Sequence, residues 1–405
     1  MNSPSINSFP WRAIFAVGVA AAGAMSPIGL RAQGCVAVRG GTCSLPGHDF
    51  ANAARWNVGL SYRWLHSHRH FVGDEEQVHR AQQGTEVINK SHFVDTNVTW
   101  QWTPRTNLSL TVPFVTSDRT SFYEHSGGSP ATGARRYGSQ ATGLSDLRVG
   151  VQHWLFEPSA EGRGNVQVGL SLKLPTGDYR AEDTFVTVRG PERHFVDQSI
   201  QPGDGGWGVA LELQGHYRLP GRFTAYGQVF YLFNPRDTNG VSTEIANPRG
   251  RTLTALQRGA AQGNATAIQR LARATALGYA TPTALEDVMS VSDQYLARAG
   301  VSWLAVPSWG LALSLGVRAE GVPVEDLWGD SNGFRRPGYT YSVEPGISVM
   351  RGGWSAALFV PYATYRTRVS SVADRRWDEI VGGGTRGGDA AFADYVVTFT
   401  VSRAF

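Results

Sequence analysis

The stretch Trp207-Gly208-Val209-Ala210-Leu211-Glu212-Leu213-Gln214-Gly215-His216-Tyr217-Arg218-Leu219 decides the fold. Trp207, Val209, Leu211, Leu213, Tyr217 and Leu219 fall on one side of an extended chain. Gly208, Ala210, Glu212, Gln214, His216 and Arg218 fall on the other. This alternation has the period of a β-strand with one apolar and one wet face. Four more runs repeat it: 56–64, 166–174, 311–320 and 339–349. In all five the aliphatic face carries no charge, whereas the opposite face carries Arg63, Lys173, Glu212, Arg218, Arg318, Glu320 and Glu344. Noisier alternation marks 94–102, 108–116, 146–155, 223–233, 294–304, 354–365 and 393–405, which makes twelve strands.

The connections sort into two kinds. Short ones fall at 103–107, 157–164, 220–222, 305–309 and 351–353, several with Pro or Gly turn chemistry. Long polar ones fall at about 66–92, 117–145, 176–205, 234–292, 322–337 and 366–391. The two kinds alternate strictly. Strands of about ten residues, apolar on one face and joined by alternating short and long connections, define a transmembrane antiparallel up-and-down β-barrel. The short turns are then periplasmic and the long loops extracellular. Aromatic residues at strand ends, such as Trp56, Trp64, Trp100, Trp102, Trp207 and Tyr217, suit interfacial girdles in contact with outer-membrane lipid. A large soluble sandwich accounts for the alternation but not for the loop asymmetry.

Composition agrees. Charged residues make up 17% of the chain and Gly numbers 48 of 405, low and high respectively for a soluble domain. No apolar run is long enough for a membrane-spanning helix. Residues 1–32, with Arg12 ahead of the apolar run Ala13 to Met25 and small Ala32 near the end, read as a cleaved export signal, and 33–53 as a short periplasmic segment ahead of a barrel spanning 54–405. Its removal takes away two arginines and no acid, lowering the formal net charge of +4 by two. With no basic tract interleaved with aromatics, nucleic-acid binding is set aside. Cys35 and Cys43, the only cysteines, are a candidate disulfide in an exported chain.

Within 234–292, residues 253–289 are rich in Ala, with apolar residues at helical spacing, and Thr283 with Glu286 has capping-box spacing. One or two short helices are expected there, either over the mouth of the barrel or folded into it.

Catalytic constellations are missing: no G-x-S-x-G elbow, Walker loop or H-E-x-x-H motif occurs. His153 sits on an apolar strand face without a companion Ser, which leaves a membrane-embedded hydrolase the weakest of three functional readings. His66, His68 and His70, followed by Asp74, Glu75, Glu76 and His79, form the densest polar cluster, read as a solvated rim ahead of a metal site. No cofactor is implied. The lumen is the remaining site. Its expected lining is Arg63, Arg148, Lys173, Arg218, Arg298 and Arg318 against Asp95, Asp146, Glu212, Glu320, Glu344 and Asp394, a balanced set that suggests a narrow path without a single-sign filter.

The chain ends on Phe405, with Val401, Phe399, Val397 and Tyr395 at alternate positions before it. This resembles the terminal strand read by the outer-membrane barrel-assembly machinery, although Arg403 departs from that pattern. Gly143-Leu144-Ser145-Asp146-Leu147, Leu174-Pro175-Thr176-Gly177-Asp178, Pro202-Gly203-Asp204-Gly205-Gly206-Trp207, Arg335-Arg336-Pro337-Gly338-Tyr339 and Glu344-Pro345-Gly346 resemble the MetA-pathway of phenol degradation family of outer-membrane barrels. The resemblance implies passage of aromatic or other small organic molecules across the outer membrane and assigns no functional residue. The alternative is a structural or surface-interaction barrel with a closed lumen.

Overall fold

A computed structural model describes residues 55–125, 133, 135–157, 162–244, 251–383 and 388–405. The expected leader, the 33–53 segment and Cys35 and Cys43 lie outside these residues. Twelve strands form the wall: β1 Trp56–Val72, β2 Ile88–Gln101, β3 Thr106–Ser121, β4 in two segments (Tyr137–Leu144 and Arg148–Trp154), β5 Gly164–Lys173 and β6 Gly208–Leu219. They continue with β7 Phe223–Phe233, β8 Gln294–Val306, β9 Leu311–Val322, β10 Gly338–Arg351, β11 in two segments (Trp354–Phe359 and Tyr362–Arg368) and β12 Ala390–Ala404. Each pairs antiparallel with its neighbour in the chain. The sheet closes where β1 meets β12, from Asn57↔Ala404 to Phe71↔Ala390. Closure leaves no strand edge in hydrocarbon, where an unpaired backbone group costs several kcal/mol.

The apolar face points outward. Leu211, Leu213, Leu313, Leu315 and Val317 are 43–61% exposed, and so large a belt calls for lipid against it. Aromatics border the belt on both sides. Trp56 stacks with Trp100 and Phe223 with Trp303 near the short turns. Trp64 meets Tyr395, and Tyr341 meets Tyr365, near the long loops. Eight residues of tilted strand from Trp56 to Trp64 rise about 20 Å, close to the apolar band of such barrels. Arg403 is seated between the rings of Trp354 and Phe405, at 5.1 and 5.0 Å. Its charge therefore reaches the interface along aromatic faces rather than sitting in the belt.

The strands outrun the sequence reading at the outer end: β1 continues to Val72, β2 begins at Ile88 and β3 ends at Ser121. Above the membrane the outward face need not be apolar, so His66, His68 and Lys90 erase the alternation while the ladder continues. At the other end the β10–β11 turn is Gly352-Gly353, both with positive φ, as a two-residue hairpin demands.

Helices stand on the loop side: α1 Val78–Gln82, α2 Leu253–Ala261, α3 Ala265–Ala276 and α4 Val372–Val381. Thr252 and Asn264 cap α2 and α3 through the amides of Ala255 and Ala267, and Ser371 and Asp374 form a capping box on α4. The three longer helices bury Leu253, Leu256, Ala274, Trp377 and Ile380 around Leu285. The insertion thus forms a cap with α4. Thr283 and Glu286 start no helix; both lie in a turn, and Glu286 accepts a hydrogen bond from the Thr243 hydroxyl through its carbonyl.

Candidate functional site: a loop-lined chamber in the outer lumen

Three of the glycine- and proline-rich motifs converge on one place in the wall. β4 is interrupted at residues 145–147, and β5 stops at Lys173, opposite Arg148. The outer segment of β4 therefore pairs only with β3. The 174–207 connection covers the side left bare, burying Phe185, Val196 and Ile200 against Ala141. Ser145 Oγ donates to the Pro202 carbonyl at 2.5 Å, and the Leu147 amide donates to Thr176 Oγ1 at 2.9 Å. The Asp146 carboxylate accepts from the amides of Gly177 and Asp204, at 3.0 and 3.1 Å. Gly177 and Gly203 touch backbone to backbone, so that a Cβ on Gly203 would lie 2.5 Å from the Gly177 carbonyl oxygen. Lys173 forms an ion pair with Asp204. Glycine is needed here for close approach rather than for a turn.

A second set of contacts fastens the same connection farther out. Asp197 is buried between Arg336, at 2.9 and 2.5 Å, and Arg119, at 3.4 Å. Arg119 also holds Glu124 at 2.7 Å and Asn89 at 2.9 Å. All four charged side chains are at least nine-tenths buried. Burial alone would raise the Asp197 carboxyl, but the two guanidiniums outweigh it and hold it well below the usual carboxylate range. These residues come from β3, the 174–207 loop and the loop before β10. No local pattern joins them, which is why the sequence reading passed over Arg119, Glu124 and Asp197.

Below this latch lies a cavity of about 70 Å³, room for roughly five waters. Five of the twelve expected lumen residues line it: Arg63, Asp95, Asp146, Arg148 and Lys173. Gln198, Gln201 and Asp204 of the loop close one side, and Met289, Ser290, Ser292 and Gln294 another. Arg63 lies 4.5 Å from the Phe93 ring centroid, so the chamber offers apolar as well as charged surface. Arg298, Arg318, Glu320 and Glu344 form a separate network on β8–β10, with Arg298–Glu344 and Arg318–Glu344 at 3.4 Å and Arg318–Glu320 at 2.8 Å. Glu212 and Arg218 lie half-buried on β6 and do not line the cavity. Asp394 belongs to the outer rim, clamped by Arg69 and Arg366 at 2.7 Å each.

The histidine cluster does not assemble. Bulges in the β1–β12 ladder separate His70 from its neighbours. His66 and His68 stack at 4.5 Å, while His70 is buried and accepts the Val87 amide at 2.8 Å. Among the described residues no group of His, Cys, Asp and Glu is placed to hold a metal. His153 pairs with Thr106 Oγ1 at 2.9 Å, as an interfacial histidine would.

Toward the short turns the inner face changes character. Its side chains are mainly Ser, Thr, Asn and Gln, and they bond to the next strand: Gln152 to Ser109 at 2.8 Å, Thr111 to Asn97 at 2.9 Å, Thr400 to Ser61 at 3.1 Å and Ser355 with Ser402 at 2.6 Å. Tyr226 lies flat over Gly300 and Gly316, where any Cβ would come within 2.6 Å of its hydroxyl oxygen.

The chain superposes on an outer-membrane channel from Pseudomonas putida F1 with a TM-score of 0.50 at 11% identity, over 89% of this chain and 99% of that one. The fold is that of an outer-membrane β-barrel. More distant matches include the toluene transporter TodX of P. putida, at 9% identity, 88% and 91% coverage and a TM-score of 0.36. A FadL homologue of Pseudomonas aeruginosa matches at 9% identity, 89% and 95% coverage and 0.37. No family model and no curated protein matches the sequence.

Proposed function

We propose that this barrel is a passive outer-membrane channel for small organic solutes, aromatic compounds among them, and that the chamber under the latch is its selective point. The carrying observation is the meeting of Arg63, Asp95, Asp146, Arg148 and Lys173 in one cavity whose remaining walls are mostly loop residues, with Phe93, Pro113, Leu232 and Gln294 from the barrel strands. Such a chamber offers both charges beside Phe93, Leu232 and Met289, which suits an amphipathic solute with a polar group and a ring. Transport down a gradient needs no covalent step and no cofactor. The resemblance of the 143–147, 174–178 and 202–207 motifs to the MetA-pathway of phenol degradation family supports the aromatic class, and those are the motifs that build the chamber wall. Export by cleavage after residue 32 and insertion by the barrel-assembly machinery through the strand ending at Phe405 complete the proposal.

The test is single-channel recording of the refolded mature protein in a planar bilayer, with and without benzoate. Discrete steps that benzoate blocks, with the block weakened in Arg63→Gln and Lys173→Gln, are expected. The burial of the latch favours a second reading, a closed barrel whose loops act at the surface. A barrel silent both as wild type and with the latch residue Asp197 changed to Asn would establish that reading instead.

A further inference from the structure

The loop between β9 and β10 carries two consecutive large apolar residues on its surface, Leu327 and Trp328, 67% and 65% exposed. Neither is held by the helical cap, the latch or the chamber. A lone exposed apolar side chain, such as Val188 at the 182–195 hairpin tip, needs no explanation. Adjacent Leu and Trp fixed in place do.

The loop is fixed to the lipid-facing belt. The Asp293 carboxylate accepts the Tyr231 hydroxyl at 2.8 Å and the Leu327 amide at 3.0 Å. Tyr231 is an outward residue of β7, with its ring 4.5 Å from Phe233. On the far side of the pair, Gly329 lies against the Pro235 carbonyl just beyond β7. Trp207, 61% exposed, immediately precedes the adjacent strand β6. Asp326, paired with Arg335 at 2.7 Å, anchors the inner side of the loop, while Glu325 pairs with Arg375 of α4, on the water side. Successive side chains therefore divide between charged partners of the protein and the girdle side.

We propose that Leu327 and Trp328 are seated in the outer leaflet at the boundary of headgroups and acyl chains, extending the aromatic girdle beyond the ends of β7–β9. The occupant is lipid because the patch continues the belt that already faces lipid, and because an indole suits that boundary, ring in hydrocarbon and N–H in the polar layer. The loop is then a membrane-seated lip of the barrel.

Spin labels at Trp328→Cys, Tyr362→Cys, Leu315→Cys and Val188→Cys, each in a Cys35→Ser, Cys43→Ser background and in phosphatidylcholine vesicles, test this. Collision with oxygen reports lipid, and collision with a neutral nickel chelate reports water. The expected result groups 328 with 362, an exposed tyrosine that pairs with the girdle residue Tyr395 in the ladder: more oxygen and less nickel access than 188, and shallower than 315. Nickel access at 328 equal to that at 188 would overturn the proposal. So would protection from both reagents with dipolar broadening, which would mean a second copy covers the patch. Because these readouts require only the folded barrel, their failure would leave the channel reading intact, and a silent channel would leave this one intact.

Discussion

The two halves of the lumen are built on different plans. Near the short turns, inner side chains bond sideways to the next strand, as Gln152 does to Ser109 and Thr111 to Asn97, so the wall satisfies itself. Near the loops, wall side chains bond to chain that has folded inward: Arg119 to Asp197, Ser145 to Pro202 and Lys173 to Asp204. Sideways bonds keep a polar wall without filling the space it encloses. Inward bonds fill that space and make its closure depend on a few buried groups. The channel proposed above would need one of each, a conduit and a restriction.

The largest effect should come from the latch. Asp197→Asn leaves Arg119 and Arg336 buried with one carboxylate fewer, a change worth about 3–5 kcal/mol when a buried pair is broken. That would shift a closed–open equilibrium by about a hundredfold or more. Conductance should rise sharply, and the 174–207 loop should become sensitive to protease; an unchanged trace would mean the loop is not what closes the lumen. Next comes Gly203→Ala, which drives a methyl against the Gly177 backbone. It should lower the melting temperature and raise conductance, though less than Asp197→Asn.

Acid should imitate the first variant only in part. Asp197 is held below the ordinary carboxylate range, so its contribution is complete above about pH 4 and fades as pH falls from there through its depressed value. Through Asp197 alone, conductance should stay flat from neutrality to about pH 4 and rise only in stronger acid. A rise near pH 6 would point to another group. The smallest change is expected from Glu344→Gln on the opposite wall, which leaves Arg298 and Arg318 with less acid between them. Reversal potential should move toward anions with little change in conductance.

The fold was legible because lipid forces a strict pattern: every outward residue of β6 or β9 within the bilayer had to be apolar, and the loops had to alternate in length. The pattern stops where the membrane does, so the outer ends of β1–β3 went unread at His66, His68 and Lys90. The wall half of the chamber was legible for the same reason, since Arg63 and Lys173 alternate with apolar neighbours, Tyr62 and Trp64 in one case and Leu172 and Leu174 in the other. The loop half was not. Asp197, Arg119 and Arg336 are brought together only by the tertiary fold, and the Gly177–Gly203 contact depends on which two loops meet. The glycine-rich motifs signalled that something special occurred there but not that it was one site.

The most direct test of the central claim is the size of neutral polymer that enters the conducting channel from each side of a planar bilayer. Polyethylene glycols of graded mass should enter from the short-turn side and lower the conductance, at masses that have no effect when added from the loop side. Equal cutoffs from both sides would contradict the account, because the lumen would then have no restriction in its outer half.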